Sequence, residues 1–596
     1  MNLIANTGIQ LYTIPLEVNL NENFKMYFYE WYDSENEKLT LDIAHKFSDS
    51  GDDVWVKKRD LFRLGCLVDG KVGRMDDGNF KAYKWEEIKD DFISEGCQNI
   101  VPTETDSGET DCFQMTLSSC RWEKFENHWL PFPFFQVKGN GKSDFGPINW
   151  CRFKLIPDAS NVGNAKKYNL LLAFDTQTIY EAEGYEEEDL QEMPVFVNED
   201  SKDFALCDNE FSLIDFLTKH TYKDVTSDST KEIDCEWVDE AWLKHFHNCT
   251  KEEFENKRLS KPKMKYMAQF VFINRYIQQL NVLPKITLFS DKDVEIGIVD
   301  LLVDMGNSRT CAVLFDDSKF TDVEPLGLQN FSNPLENGKL NRNYNSFDMR
   351  LAFHEANFGG NLKKGSSQFT YPSMVRLGIE ANELMYNAVN LNKGIEKVTT
   401  FSSPKRFLWD SKPQSKEWEF VTLLGEQNKP VRIKGVSEQL NFDGSLNTEG
   451  IGGIDKCYSR KALMTFCFLE ILAQAKMQIN GYEFRNKWGG ENKPRQVGRI
   501  IITCPTAMSR VEQIALRKCA EDATIILERF YKGTHNKVQV IPSVKNLQKT
   551  EERNEWIYDE STCTQFVYLY AEITKRYLNN CKEYFNVSYW GKIPRL

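Results

Sequence analysis

Ile298-Val-Asp-Leu-Leu-Val-Asp304-Met-Gly306-Asn307-Ser308-Arg-Thr-Cys-Ala-Val-Leu-Phe-Asp316 is the segment on which the fold turns. Two apolar runs, rich in Val, Leu and Ile, flank a short polar turn. Each run has the length of a buried strand, so a β-hairpin is expected. The turn is a place where backbone can meet phosphate. Gly306 has no Cβ to hold a ligand away. The amides of Gly306, Asn307 and Ser308 can form an anion-binding nest. Asp304, two residues before the glycine, can hold the waters around a Mg²⁺ ion. Taken alone, the pattern fits an ordinary tight turn equally well.

Downstream, Gly498-Arg-Ile-Ile-Ile-Thr-Cys504-Pro505 reads as a buried strand with a proline stop. Ser509-x-x-Glu512 is a capping box, opening a helix that runs through Leu516 and Ala520. Residues 523–528 read as a further strand. Residues 459–479 read as a helix that is apolar on nearly every face, and so buried. Residues 559–578 give a helix with Phe566, Tyr570, Ile573 and Tyr577 on one face. From Ile286 onward the class is therefore α/β. Asp317 to Thr370, rich in Asn, Gly and Ser, reads as an inserted polar loop.

Residues 1–285 have a different texture, with short apolar–polar alternations between acidic loops. Met26–Tyr32, Val54-Trp-Val56 and Leu170–Phe174 read as strands, so this half is expected to be a β-rich α+β domain. Glu181 to Glu192 reads as a charged surface segment. Cys235–Lys257 and Lys265–Leu280 read as helices, the second with Met267, Phe270, Val271, Ile273 and Ile277 on its apolar face. Pro284 marks the boundary, so the two expected domains are 1–285 and 286–596.

A chain of 596 residues with 41% hydrophobic content forms ordinary globular cores in two or more domains. Its net charge of −14 argues against nucleic acid and against anionic membrane surfaces. The fifteen cysteines include no Cys-x-x-Cys pair, and many sit in apolar segments. They read as reduced thiols of a cytoplasmic protein, packed as small hydrophobes. The first residues lack a basic signal-peptide region, and no uncharged apolar run reaches membrane-spanning length.

The hairpin resembles the first phosphate-binding hairpin of the superfamily of actin, the sugar kinases and the 70-kDa heat-shock chaperones. The segment Gly498–Glu512, strand, proline turn and helix start, resembles that superfamily's first connecting segment. Tyr371-Pro-Ser373-Met-Val375, Ser403-Pro-Lys405-Arg406 and Asp559-Glu560-Ser-Thr562 resemble further chaperone motifs, and all occur in the superfamily's order. The resemblance implies the first half of an actin-like, ribonuclease H-like ATPase domain. It implies ATP with Mg²⁺, Asp304 on metal-bound water, Lys405 offsetting charge at the γ-phosphate, and Glu560 ordering water around the metal. The superfamily's second phosphate hairpin and adenosine segment do not follow Glu560. The chain is therefore expected to need a protein partner or a missing C-terminal half, and to be at most a Mg²⁺-dependent ATPase once completed. Asp304-x-Gly-Asn-Ser-Arg also resembles the opening motif of the third type of bacterial pantothenate kinases, which carry it at the extreme N-terminus.

Further marks span nearly the whole chain. Asn6-Thr-Gly-Ile-Gln10, Trp129-Leu-Pro131-Phe-Pro133-Phe-Phe135, Gly146-Pro-Ile-Asn149-Trp150, Ser402-Ser-Pro-Lys405-Arg406 and Tyr458-Ser-Arg460 resemble the bacterial virulence factor SrfB family. Other readings stay open beside these. Lys405 and Arg406 also fit a solvated basic pair. Glu560 also fits a helix N-terminal carboxylate favoured by the helix dipole, and Arg309 a surface residue. A non-catalytic interaction or scaffold protein that keeps the fold without ATP turnover is the alternative function. Gly139-Asn-Gly141-Lys142-Ser143 is rejected as a P-loop, because the first glycine of that motif would fall at Gln136. His245, His247 and Cys249 fit an amphipathic helix better than a zinc site.

Overall fold

The computed structural model describes residues 1–33, 38–48, 53–100, 110–139, 141–159, 165–178, 202–218, 220–224, 229–233, 261–292, 294–316, 323–359, 369–389, 399–413, 439–447, 458–531, 537–549 and 558–588. The acidic segment 181–192, the helix expected at 235–257 and the trio His245, His247 and Cys249 lie outside them. The chain forms two compact units. The first comprises Met1–Asp291 with Asn337–Lys339 and Phe358–Phe369; the second comprises the remainder.

The first unit is rich in β-structure. Strand Ile9–Asn19 shows why: Ile14, Leu16 and Val18 are buried, while Pro15, Glu17 and Asn19 face outward, the period-two signature of a half-buried strand. It pairs antiparallel with Ala165–Asp175, which continues to Cys151–Pro157 and Trp129–Pro131. A second sheet runs Asn2–Ile4, Ile286–Phe289, Asp203–Leu206, Phe134–Val137 and Ser143–Ile148. Strand Ile286–Phe289, assigned from sequence to the second region, thus belongs to the first unit. Helix Lys261–Gln279 is buried on more than the one expected face, with Tyr266 through Asn274 all inside. Phe125 stacks on Tyr266 at 5.0 Å, and Phe24 meets Phe272 at 4.9 Å.

The second unit is α/β. Strand β1 (Gly297–Met305) pairs antiparallel with β2 (Arg309–Asp316), the expected hairpin. On its other side β1 runs parallel to β5 (Arg495–Ile502), which runs parallel to β6 (Gln539–Ile541). Strands β3 (Arg350–Phe353) and β4 (Thr400–Ser402) pair in a smaller sheet, to which helix α1 (Gly378–Val389) packs. Helix α2 (Ala462–Ile479) packs against β5 and against helix α3 (Arg510–Phe530). By length and composition α2 is apolar enough to cross a membrane, but 94% of it is buried within the fold.

The parallel β1–β5 register is set by a bulge and an ion pair. Gly498 is skipped between Val299↔Val497 and Asp300↔Arg499, and a Cβ on it would stand 2.4 Å from Ile298 Cγ2. Buried Asp300 accepts two bonds of 2.9 Å from Arg499 Nε.

Three expectations need correction. Residues 523–528 are not a strand but the last turns of α3. Leu516, Ala520, Ala523 and Leu527 are buried at helical spacing, and no Gly or Pro breaks the run, so period outweighs the β-branched Thr-Ile-Ile. The segment 317–370 is not one polar loop: its described part holds short strands, among them Phe347–Asp348 against β2 and β3 itself. Finally, helix α4 is regular only over Glu560–Ala571, and Phe566 and Tyr570 on its apolar face are exposed.

Candidate functional site

The strands β1 and β5 end side by side, and the chain leaves them in opposite directions, toward β2 on one side and β6 on the other. In open α/β sheets the crevice outside the carboxyl ends of strands at such a reversal is where ligands bind. Asp304 is the exposed penultimate residue of β1. The Thr503 hydroxyl, just beyond β5, donates to Asp304 Oδ1 at 2.7 Å, and Thr503 N donates to Val303 O at 3.1 Å.

Gly306 makes the turn possible. A Cβ there would stand 2.1 Å from Arg309 O. Asn307 and Ser308 are exposed, and among the described residues none of the amides of Gly306, Asn307 and Ser308 donates a hydrogen bond to protein. Arg309 is a surface residue paired with Asp348 at 3.4 Å.

Lys405 sits on a short 3₁₀ turn, Pro404–Phe407. It is buried, which overturns the solvated-pair reading for it; Arg406 beside it is exposed. Its Nζ donates to Met305 O, at the end of β1, and lies 3.6 Å from Glu560 Oε1. The turn is tied to the hairpin through one residue. Met349 N donates to Ser308 O, and Met349 O accepts from Ser403 N. Ser403, two residues before Lys405, takes the left-handed conformation with φ 53°.

Glu560 opens α4, and Asp559 is its N-cap, accepting from Thr562 N at 2.9 Å. The helix start is stitched to the end of β5: Cys504 N donates to Tyr558 O and Glu560 N to Cys504 O. Tyr558 is also left-handed, φ 55°. Left-handed non-glycine residues are uncommon and cost roughly 1–3 kcal/mol, and they gather at functional sites. The helix-dipole role for Glu560 and its place beside Lys405 hold together, because both follow from its position as first residue of α4.

Burial is the main influence on both charges. It lowers the Lys405 ammonium pKa, while Glu560 and Asp304 pull it back up. It raises the Glu560 carboxyl pKa; Lys405 opposes that rise and Asp304 adds to it. Two carboxylates thus lean on one another beside one lysine, an arrangement that welcomes a cation. Among the described residues no group of three or more His, Cys, Asp or Glu side chains forms a direct metal cage.

The sequence reading passed over Thr503, Thr506 and Ser561. The Thr506 and Ser561 hydroxyls lie 2.7 Å apart at the same mouth, and Thr506 reaches Asp559 at 3.4 Å. A polar residue ending an Ile-Ile-Ile strand was the available signal for Thr503. Residues 347–350, which align the hairpin with the lysine turn, carried no such signal.

No curated protein matches this sequence. The sequence model of a family described as virulence factor SrfB matches residues 1–592, the length of both units. The chain therefore belongs to the virulence factor SrfB family.

Proposed function

We propose that the mouth of β1 and β5 binds the phosphates of ATP with Mg²⁺, as one wall of an actin-like ATPase site. The observation that carries this reading is the meeting of Asp304, Lys405 and Glu560 around the Gly306 hairpin, from positions far apart in sequence. Asp304 and Glu560 hold metal-bound water, and Thr503 orients Asp304. The amides of Gly306, Asn307 and Ser308 cradle the β- and γ-phosphates. Lys405 exchanges Glu560 for the γ-phosphate and offsets its charge.

Each of these contacts engages phosphate or metal. Purine and ribose are assigned to a second body, a protein partner or the other half of the domain. Helix α4 favours this, because none of its residues is buried and Phe566, Val567, Tyr568 and Tyr570 are all more than half exposed. Backbone bonds contribute only about 0.5–1.5 kcal/mol each, and binding first costs roughly 4 kcal/mol or more in lost ligand freedom. The chain alone should bind Mg·ATP weakly, with Kd near 1 mM, and hydrolyse it barely or not at all. The free thiols suit a reduced, cytoplasmic setting.

Isothermal titration calorimetry tests this. The expected result is a weak Mg²⁺-dependent heat that disappears in Asp304→Ala. Micromolar affinity for the chain alone would refute the half-site argument, and an unchanged isotherm in Asp304→Ala would refute the site. The second reading, a scaffold without turnover, is favoured by the same exposed face of α4 and by the pairing of Lys405 with Glu560. It requires a partner to bind equally well with and without nucleotide.

A further inference from the structure

The second unit also holds a pocket of about 620 Å³ lined by residues of β3, of α1 and of the turn at 332–333. Its volume falls within the range of small-molecule sites. Leu384 and Met385 supply apolar surface to its lining, and Asn333, Arg350, Asn382, Glu383, Tyr386 and Asn387 supply its polar groups.

Several of these are held from behind. Asn382 Oδ1 accepts from Arg350 Nη1 at 3.1 Å, and its Nδ2 donates to Asp348 Oδ2 at 3.0 Å. Glu383 Oε2 accepts from Asn330 Nδ2 at 2.9 Å. Asn333 is fixed through its backbone, donating to Asn330 Oδ1 at 2.8 Å and accepting from Asn341 Nδ2 at 3.0 Å. Preorganised polar walls of this kind cost less to order when a ligand arrives. Tyr386 lines the pocket yet is 68% exposed, so its ring is open to a ligand.

The chemistry of the lining narrows the ligand class. Amide, guanidinium and carboxylate groups are planar and set donors and acceptors side by side, a spacing that suits neighbouring hydroxyls. An open phenol ring offers a flat apolar surface with a polar edge. One cation, Arg350, and one anion, Glu383, face the same space, so a phosphate would meet a carboxylate and a cation would meet a guanidinium. A neutral ligand with many hydroxyls and one apolar face satisfies all of these groups.

We propose that this pocket binds a neutral saccharide ring, which stacks on Tyr386 and hydrogen-bonds through its hydroxyls to Asn333, Arg350, Asn382, Glu383 and Asn387. Nucleotide binding at Asp304 is not required for it.

Saturation-transfer-difference NMR on the full chain tests this, with glucose, galactose, mannose, N-acetylglucosamine and maltose as probes at about 10 mM, enough to occupy a site of Kd near 1 mM. The expected result is transfer to the ring protons of at least one sugar, with affinity at least tenfold weaker in Tyr386→Ala and in Asn382→Ala. Because Tyr386 is exposed, its variant should keep the native melting temperature, which separates lost binding from lost fold. Inorganic phosphate should not compete. Silence across all five sugars, undiminished transfer in both variants, or displacement by phosphate would each overturn the assignment.

Discussion

Two pairs of opposite charges in the second unit have opposite characters. Arg376 and Glu470 lie 3.1 Å apart, 0% and 2% exposed. Gln474 donates to the same Glu470 oxygen at 2.8 Å. The guanidinium also donates to His354 O and Ser373 O and lies over the rings of Phe331 and Tyr371. Lys405 and Glu560 lie 3.6 Å apart, with side chains 5% and 36% exposed and Asp304 pressing on the same carboxylate. The first pair is fully buried among packed side chains. The second keeps carboxylate charge at an open mouth, flanked by left-handed Ser403 and Tyr558. A pair buried among packed side chains specifies packing, whereas an open one held by strained backbone is placed to act.

The sharpest test of this contrast is stability. Glu470→Ala should cost about 3–5 kcal/mol in denaturant unfolding, because it strands a buried guanidinium. A loss below about 1 kcal/mol would show that the core pair is no more structural than the mouth. Lys405→Met should cost less. It removes a burial-disfavoured ammonium but leaves buried Met305 O without its donor, so the loss should stay at about 1–2 kcal/mol, below that of Glu470→Ala. Mg·ATP affinity should nevertheless fall at least tenfold, about 1.4 kcal/mol; calorimetry and unfolding on the same preparation would read both.

A smaller effect concerns pH near the core pair. Burial pushes the half-buried Glu355 carboxyl up to about 7, against the pull of Arg376. Its folded pKa exceeds the ordinary value, so its contribution to stability is present below about 4.5 and lost as pH rises through 7. Relative to Glu355→Gln, the wild-type chain should lose about 1–2 kcal/mol between those limits, after allowance for partial exposure. His354 beside it is pushed down to about 4, so its contribution runs the other way, present above 6.5 and lost as pH falls through 4. A flat difference between wild type and Glu355→Gln from pH 4.5 to 7 would remove the carboxyl from this account. The least effect is expected from Thr503→Val, which removes the hydroxyl that orients Asp304. Mg·ATP binding should weaken by about 0.5–1.5 kcal/mol, with Thr503→Ser restoring it and stability unmoved. Equal weakening in the serine variant would assign Thr503 to packing.

Much of the second unit was legible along the chain. The paired apolar runs around Gly306, the Ser509 capping box and the all-apolar helix at 462–479 each state their local structure through period and end signals. The first unit was legible as β-rich through its short apolar–polar stretches, Met26–Tyr32, Val54–Val56 and Leu170–Phe174, each of which lies in a strand. The misreadings fell where local signals compete. Thr524-Ile-Ile-Leu527 has β-branched character yet sits in a helix whose buried face began at Leu516. Phe347–Asp348 is too short to show a period, and it is a strand only because β2 lies beside it.

The sequence by itself determined the hairpin, the glycine that its turn demands, and the residue types that carry charge at 304, 405 and 560. Those follow from sterics and periodicity within about twenty residues. Only the tertiary structure decided that Lys405 is buried against Met305 O beside Glu560, that Thr503 holds Asp304, and that Met349 ties hairpin to lysine turn. Those contacts join residues some 40 to 200 positions apart. They exist because parallel strands end together and bring distant side chains to one mouth, a relation that no local pattern encodes.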